Sequence, residues 1–184
     1  MLKEREYERR RALEYARRWA YGRNPLFYNF TGIGGDCTNF ISQCLLAGCC
    51  VMNCTPTFGW YYRSSSDRAP AWTGVQYLYN FLTTNSGPGP WGRDADIDEL
   101  EIADLVQLGG VDGRFYHTLF ITGRSREGLL VSAHSFDAFD RPLASYNYAK
   151  LRPIKIEGFR AYRDPAPDCF AHLLKGSALK ATCG

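Results

Sequence analysis

The sequence predicts an α+β fold, with helices in the first half and an antiparallel sheet in the second. Three observations lead there. Apolar residues recur at helical spacing as far as Leu82. One dense breaker run, Asn85-Ser86-Gly87-Pro88-Gly89-Pro90, then interrupts the chain. Beyond it, short apolar runs are bounded by turn residues, the pattern of strands. With 184 residues and 20.8 kDa, the chain has room for one domain, assigned to residues 1–162. Residues 163–184, with Pro165 and Pro167, read as a C-terminal extension with a short helix around Phe170–Leu174.

Taken in order, the first helix is expected over Lys3–Tyr21, where Ala12, Tyr15, Ala16, Trp19 and Ala20 follow one helical face. Gly22 and Asn24-Pro25 end it. A glycine-rich loop follows, and Asp36 is placed to cap a second helix over Cys37–Ala47, which Gly48 ends. The stretch Cys49–Trp72 reads as loop, and Gly74–Leu82 as a third helix. Strands are expected at Leu105–Leu108, Tyr116–Thr122, Leu129–Ala133, Leu151–Ile156 and Gly158–Tyr162. The second and third of these form a hairpin across the turn at Gly123–Gly128.

Composition narrows the function. Hydrophobic residues are 45% and charged residues 22%, which excludes disorder and a long coiled coil. No apolar run reaches the ~18 residues of a membrane span. Residues 1–24 carry eight of the 22 basic residues and four of the 19 acidic ones; this reads as a solvated helix surface, and no nucleic-acid partner is expected. The first residues lack a signal-peptide core, so the cytoplasm is the default compartment, with export by another route or a removed leader as the alternatives. Seven cysteines leave at least one unpaired, and in that compartment most are expected to be reduced. Cys44, Cys49, Cys50 and Cys54 lack paired zinc-ligand spacing and a nearby histidine, so neither metal nor cofactor is expected.

Cys37 is the first candidate for chemistry. It opens a helix after Gly34-Gly35-Asp36, where free first-turn N–H groups and the macrodipole favour negative charge. Its own backbone N–H is a candidate oxyanion donor. His117 and His134, on neighbouring strands, are candidates for a base and for a group that fixes the base's tautomer. Asp137 and Asp140 are alternatives for the second role. Asp36, Asn39 and the aromatics Trp60, Tyr61 and Trp72 are possible substrate-binding residues.

The string Gly34-Gly35-Asp36-Cys37-Thr38-Asn39-Phe40-Ile41-Ser42-Gln43-Cys44-Leu45 resembles the putative amidase domain family of bacteria, within the papain-like, NlpC-type cysteine hydrolases. Arg23-Asn24-Pro25, Phe115-Tyr116-His117-Thr118-Leu119-Phe120-Ile121-Thr122 and Ala133-His134-Ser135-Phe136-Asp137 are also similar to its pattern. The resemblance implies a papain-like fold, Cys37 as nucleophile, His117 as general base and His134 as the group that orients it. It also implies an acyl-enzyme route and a peptide or cell-wall-derived amide as substrate. Ile102-Ala103-Asp104 departs from the family's Pro-Gly-Asp, so an altered turn is expected there. The alternative function is a catalytically silent peptide- or glycan-binding module of the same fold.

Overall fold

The computed structural model describes residues 1–184. Strand β1 (Lys3–Arg5) precedes helix α1 (Arg9–Trp19), helix α2 (Cys37–Cys49) and the two-residue strand β2 (Val51–Met52). Short α3 (Pro70–Thr73) and α4 (Val75–Thr84) follow, then strands β3 (Gly89–Asp94), β4 (Leu105–Gly109), β5 (Phe115–Ser125), β6 (Gly128–Ala133), β7 (Ala138–Pro142) and β8 (Lys150–Ala161). Helix α5 (Cys169–Lys175) and strand β9 (Thr182–Cys183) complete the chain. The main sheet runs β1-β8-β4-β5-β6-β7, with β3 on the other edge of β8; all its pairings are antiparallel. The architecture is therefore mixed α+β, helices against an antiparallel sheet.

The differences from the sequence expectation have physical causes. Lys3–Arg5 is strand because it carries no apolar stripe and finds the free edge of β8, Lys3 opposite Ala161. The breaker run ends in strand β3, where Pro90 is tolerated because β3 is an edge strand. Leu151–Ile156 and Gly158–Tyr162 are one long strand, since β4 pairs with the first part of β8 while β1 and β3 flank the rest. Helix α2 runs through Gly48, which is there for packing: a Cβ at Gly48 would lie 2.1 Å from the Tyr7 ring. The helix ends at Cys50, which takes the left-handed conformation.

Two apolar layers cover the sheet. Phe120, Leu105, Ile154 and Ile156 pack under Tyr15, Phe40, Leu45 and Trp72 of the helical layer. Val106, Leu108, Leu119, Ile121 and Val131 pack on the opposite face beneath Leu100 and Leu143. With both faces covered, β5 reads as the continuous apolar run Leu119-Phe120-Ile121 rather than as alternation. The turn before β4 keeps a glycine's geometry without glycine: Ala103 has φ 71°. Buried Asp104 then accepts from the backbone N–H groups of Glu101 and Ile156 and from Arg9.

Residues 163–184 are bound to the body rather than trailing from it. Cys169 and Leu173 are buried, and disulfides join Cys50 to Cys169 and Cys54 to Cys183. Asn24 donates to the Leu173 carbonyl at 2.9 Å and to the Tyr15 hydroxyl at 2.8 Å. The expectation that most thiols are reduced is thus corrected, because four of the seven cysteines are paired. Disulfides of this kind are rare in the cytoplasm, the compartment expected from the sequence. No helix is long and apolar enough to cross a membrane.

Candidate active site

The site is built on the first turn of α2. Gly34 and Gly35 hold φ angles of 82° and 98°, which a side chain would strain, and they turn the chain into the helix. Cys37 is its first residue, 8% exposed, and lines a cleft of about 530 Å³. At this position the Cys37 backbone N–H has no intrahelical acceptor and is free to receive one from a ligand.

The same cleft is walled by His117, which sits opposite Leu108 across the β4–β5 pairing. Helix and strand are pinned together one residue further on: the Thr38 and Thr118 hydroxyls are 3.1 Å apart, and Gln107 donates to Thr118 Oγ1 at 3.2 Å. Successive strand side chains point to opposite faces. Thr118 therefore meets α2, while the His117 ring is turned towards Tyr146, 6.1 Å away between centroids. The polar neighbour of Cys37 Sγ is Thr38 Oγ1 at 3.7 Å; no hydrogen bond joins the thiol to His117. Burial, reinforced by the nearby Arg141 guanidinium, pushes His117 down to about 4, so its ring is neutral at pH 7.

His134 lies elsewhere. Its Nδ1 donates to Asp36 Oδ2 at 2.6 Å, and its Nε2 is 2.9 Å from the Trp19 carbonyl and 3.2 Å from Arg23 Nη1. The ring stacks on Phe40 with 3.9 Å between centroids and is 1% exposed. Both nitrogens are engaged, so the expected approach of His134 to His117 is corrected. Neither alternative fills the role: Asp137 is held bidentate by Arg23 at 2.9 Å, and neither Asp137 nor Asp140 bonds to His117.

Asp36 occupies the N-cap position without capping the helix through its side chain. Its fully buried carboxylate accepts instead from the Phe30 N–H, Asn39 Nδ2, His134 and Arg23. Burial alone would raise the Asp36 carboxyl; the bonds from His134, Phe30 and Asn39 outweigh it and hold the group below its ordinary value. This cluster clamps the loop that presents Cys37. Asp36 and Asn39 are consequently structural here rather than exposed to a substrate.

Comparison with known proteins now bears on the site. The family described as "Putative amidase domain" matches residues 6–156, a span that includes Cys37, His117 and His134. The chain belongs to the putative amidase domain family. A relative in Bacillus subtilis (strain 168), described as "Uncharacterized protein YhbB", is 33% identical over 138 residues, covering 72% of this chain and 43% of its own length. The chain therefore spans less than half of that curated relative. No solved structure matches.

Within this domain, the aromatics singled out from composition lie away from the cleft. Trp60 and Trp72 are fully buried, 4.9 Å apart between ring centroids, and donate to Ser42 and Asn39 on the back of α2; Tyr61 is also buried. Their job is to fix α2, and the substrate-binding expectation for them is corrected. The aromatics that do line the cleft are Tyr116, Phe136 and Tyr146. Sequence reasoning missed these, and it gave no role to Arg23, although Arg23-Asn24-Pro25 belongs to the family's pattern. A second missed residue is Arg141, whose only sequence signal is its place shortly after the His134 stretch. Cys44 and Cys49 are core: burial raises Cys44 well above the ordinary thiol value and Cys49 to about 12. No group of three histidine, cysteine or acidic side chains is arranged to hold a metal ion.

Proposed function

We propose that this domain is a cysteine-dependent amide hydrolase of papain-like, NlpC-type architecture, with Cys37 as nucleophile and His117 as general base. The observation that carries the reading is the shared cleft: a thiol at a helix start and a neutral, half-buried imidazole, the one histidine among the cleft's residues. His117 takes the Cys37 proton as sulfur bonds to the amide carbonyl carbon, and the Cys37 N–H receives the oxyanion. His117 then passes that proton to the departing amine as the C–N bond breaks. A water, giving its proton to His117, hydrolyses the thioester and restores the thiol. The missing thiol–imidazole bond is in keeping with a site that tightens only around substrate.

The reading of the substrate is a peptide or cell-wall-derived amide. A second depression of about 500 Å³ shares Gly34 and Tyr116 with the first, so a chain-like ligand has room beyond the cleft that Cys37 lines. The two disulfides suit an oxidising compartment, where such substrates are met. His134 acts through Asp36 on the Cys37 loop, as a positioning residue. Peptide amides and cell-wall fragments incubated with the protein and followed by mass spectrometry test this. Cys37→Ala should abolish cleavage and His117→Ala should lower it about 10²–10⁴-fold. Full cleavage by Cys37→Ala would overturn the assignment.

The second reading, a silent binding module, is favoured by one observation: Cys37 and His117 are not bonded. Under it, the wild type binds such a peptide without cleaving it, and Cys37→Ala binds equally well.

A further inference from the structure

The cleft holds one charged side chain beside its neutral histidine, and it has no counter-ion. Arg141 of β7 is half-buried in the wall shared with Cys37 and His117. Its guanidinium is oriented rather than free: Nε donates to Ser145 Oγ at 2.8 Å, Nη2 donates to the Ser145 carbonyl at 3.3 Å, and the group lies 4.0 Å over the Tyr146 ring. No carboxylate pairs with it, and no acidic side chain lines the cleft. A half-buried guanidinium without an anion is a costly arrangement that a ligand carboxylate would relieve. Beside it the Tyr146 hydroxyl is buried with no acceptor for its proton, and the Arg141 guanidinium is the polar group that acts on it.

We propose that Arg141 and Tyr146 form an anion subsite that receives a carboxylate of the substrate next to the bond attacked by Cys37. The substrate class is then an amide carrying a free carboxylate close to the scissile carbonyl, such as an acidic peptide. This rests on Cys37 being the reactive thiol. Arg141 supplies the charge and one edge of its fork, since Ser145 occupies Nε and Nη2. Tyr146 supplies a neutral O–H donor. The His117 and Tyr146 rings are 6.1 Å apart between centroids, so the carboxylate would lie beside the imidazole.

Two small alkylating reagents of equal reach, iodoacetate and iodoacetamide, test it on the intact protein. In both cases the Cys37 sulfur displaces iodide, and only one reagent carries a carboxylate. Second-order rates at Cys37 are read by peptide mass spectrometry for wild type, Arg141→Gln, Arg141→Lys and Tyr146→Phe. The expected result is that the iodoacetate-to-iodoacetamide ratio falls about fivefold in Arg141→Gln, the order of one partly screened ion pair. Arg141→Lys should keep most of the ratio, and Tyr146→Phe should lower it by less than Arg141→Gln does. Taking ratios within each variant removes any general change in thiol reactivity, and Arg141→Lys guards against a folding defect. An unchanged ratio in Arg141→Gln overturns the anion subsite while leaving Cys37 as nucleophile. A Cys37 that reacts with neither reagent in the folded protein overturns both.

Discussion

At the scale of single residues, the cluster behind Cys37 decides how firmly the thiol is held. Asp36 is fully buried and its charge is matched by Arg23 and by the Nδ1–H of His134. Removing the Asp36 charge leaves the buried His134, Asn39 and Phe30 donors short of an acceptor, although Arg23 keeps Asp137, and that costs more than an exposed pair is worth. Asp36→Asn should therefore destabilise by about 3 kcal/mol in urea denaturation; a loss below about 0.5 kcal/mol would show that the cluster is dispensable. His117 makes a separate prediction. Its ring is neutral in the folded state down to about pH 4, against an ordinary 6.5 when unfolded, so between those values the unfolded chain binds more protons. Stability is held above pH 6.5 and lost as the pH falls towards 4. Thermal unfolding across that window should show the decline in wild type and a flatter profile in His117→Gln; equal slopes would contradict the burial of this ring. Under the proposed mechanism the same value should set the acid limb of the pH–rate profile, where His117 becomes protonated. His134→Gln should lower the rate but leave that limb near pH 4, because His134 touches Asp36 and not His117. A limb that shifts with His134 would return to it the orienting role that the sequence suggested.

At the scale of elements, legibility followed how local the determinant was. Helix α2 and its cysteine were readable because Gly34, Gly35 and Asp36 act within a few residues of Cys37. The β5–β6 hairpin was readable from its apolar runs and turn. Strands β1 and β3 were not, because Lys3–Arg5 and Gly89–Asp94 owe their conformation to the two edges of β8, far along the chain. The facing of His117 was also hidden, since the apolar runs of a sheet covered on both sides do not say which face meets the helices; the Thr38–Thr118 contact settles it. The end of α2 was misplaced at Gly48 for a similar reason, as Tyr7, in the connection between β1 and α1, lies against that glycine. This gives a sharp prediction. Alanine at position 48 gains up to about 1 kcal/mol of helix propensity but drives a methyl into the buried Tyr7 ring at 2.1 Å, and overpacking of this kind costs about 1–3 kcal/mol. Packing should win, so Gly48→Ala should lower the melting temperature. A rise would mean that Tyr7 moves freely.

For the whole molecule, the disulfides change the reading most. Their partners are 119 and 129 residues apart, and nothing in cysteine spacing gives such connectivity. They tie α5 and β9 to the end of α2 and to the loop after β2. Cross-links closing loops this long restrict the unfolded chain strongly, about 2–5 kcal/mol each in native domains. Reduction, or the pair Cys54→Ser and Cys183→Ser, should lower the melting temperature by several degrees. An unchanged melting temperature after verified reduction would argue that these bonds add nothing to the fold.

The claim on which the rest depends is that Cys37 is a nucleophile activated by His117. Intact-protein mass spectrometry with a peptidyl chloromethyl ketone measures this directly, comparing the folded wild type, the urea-unfolded chain and His117→Ala. The account predicts a single adduct on Cys37, formed at least tenfold faster in the folded protein than in the unfolded chain or in His117→Ala. Alkylation of Cys37 at the same rate in all three, or none at all in the folded protein, would contradict it.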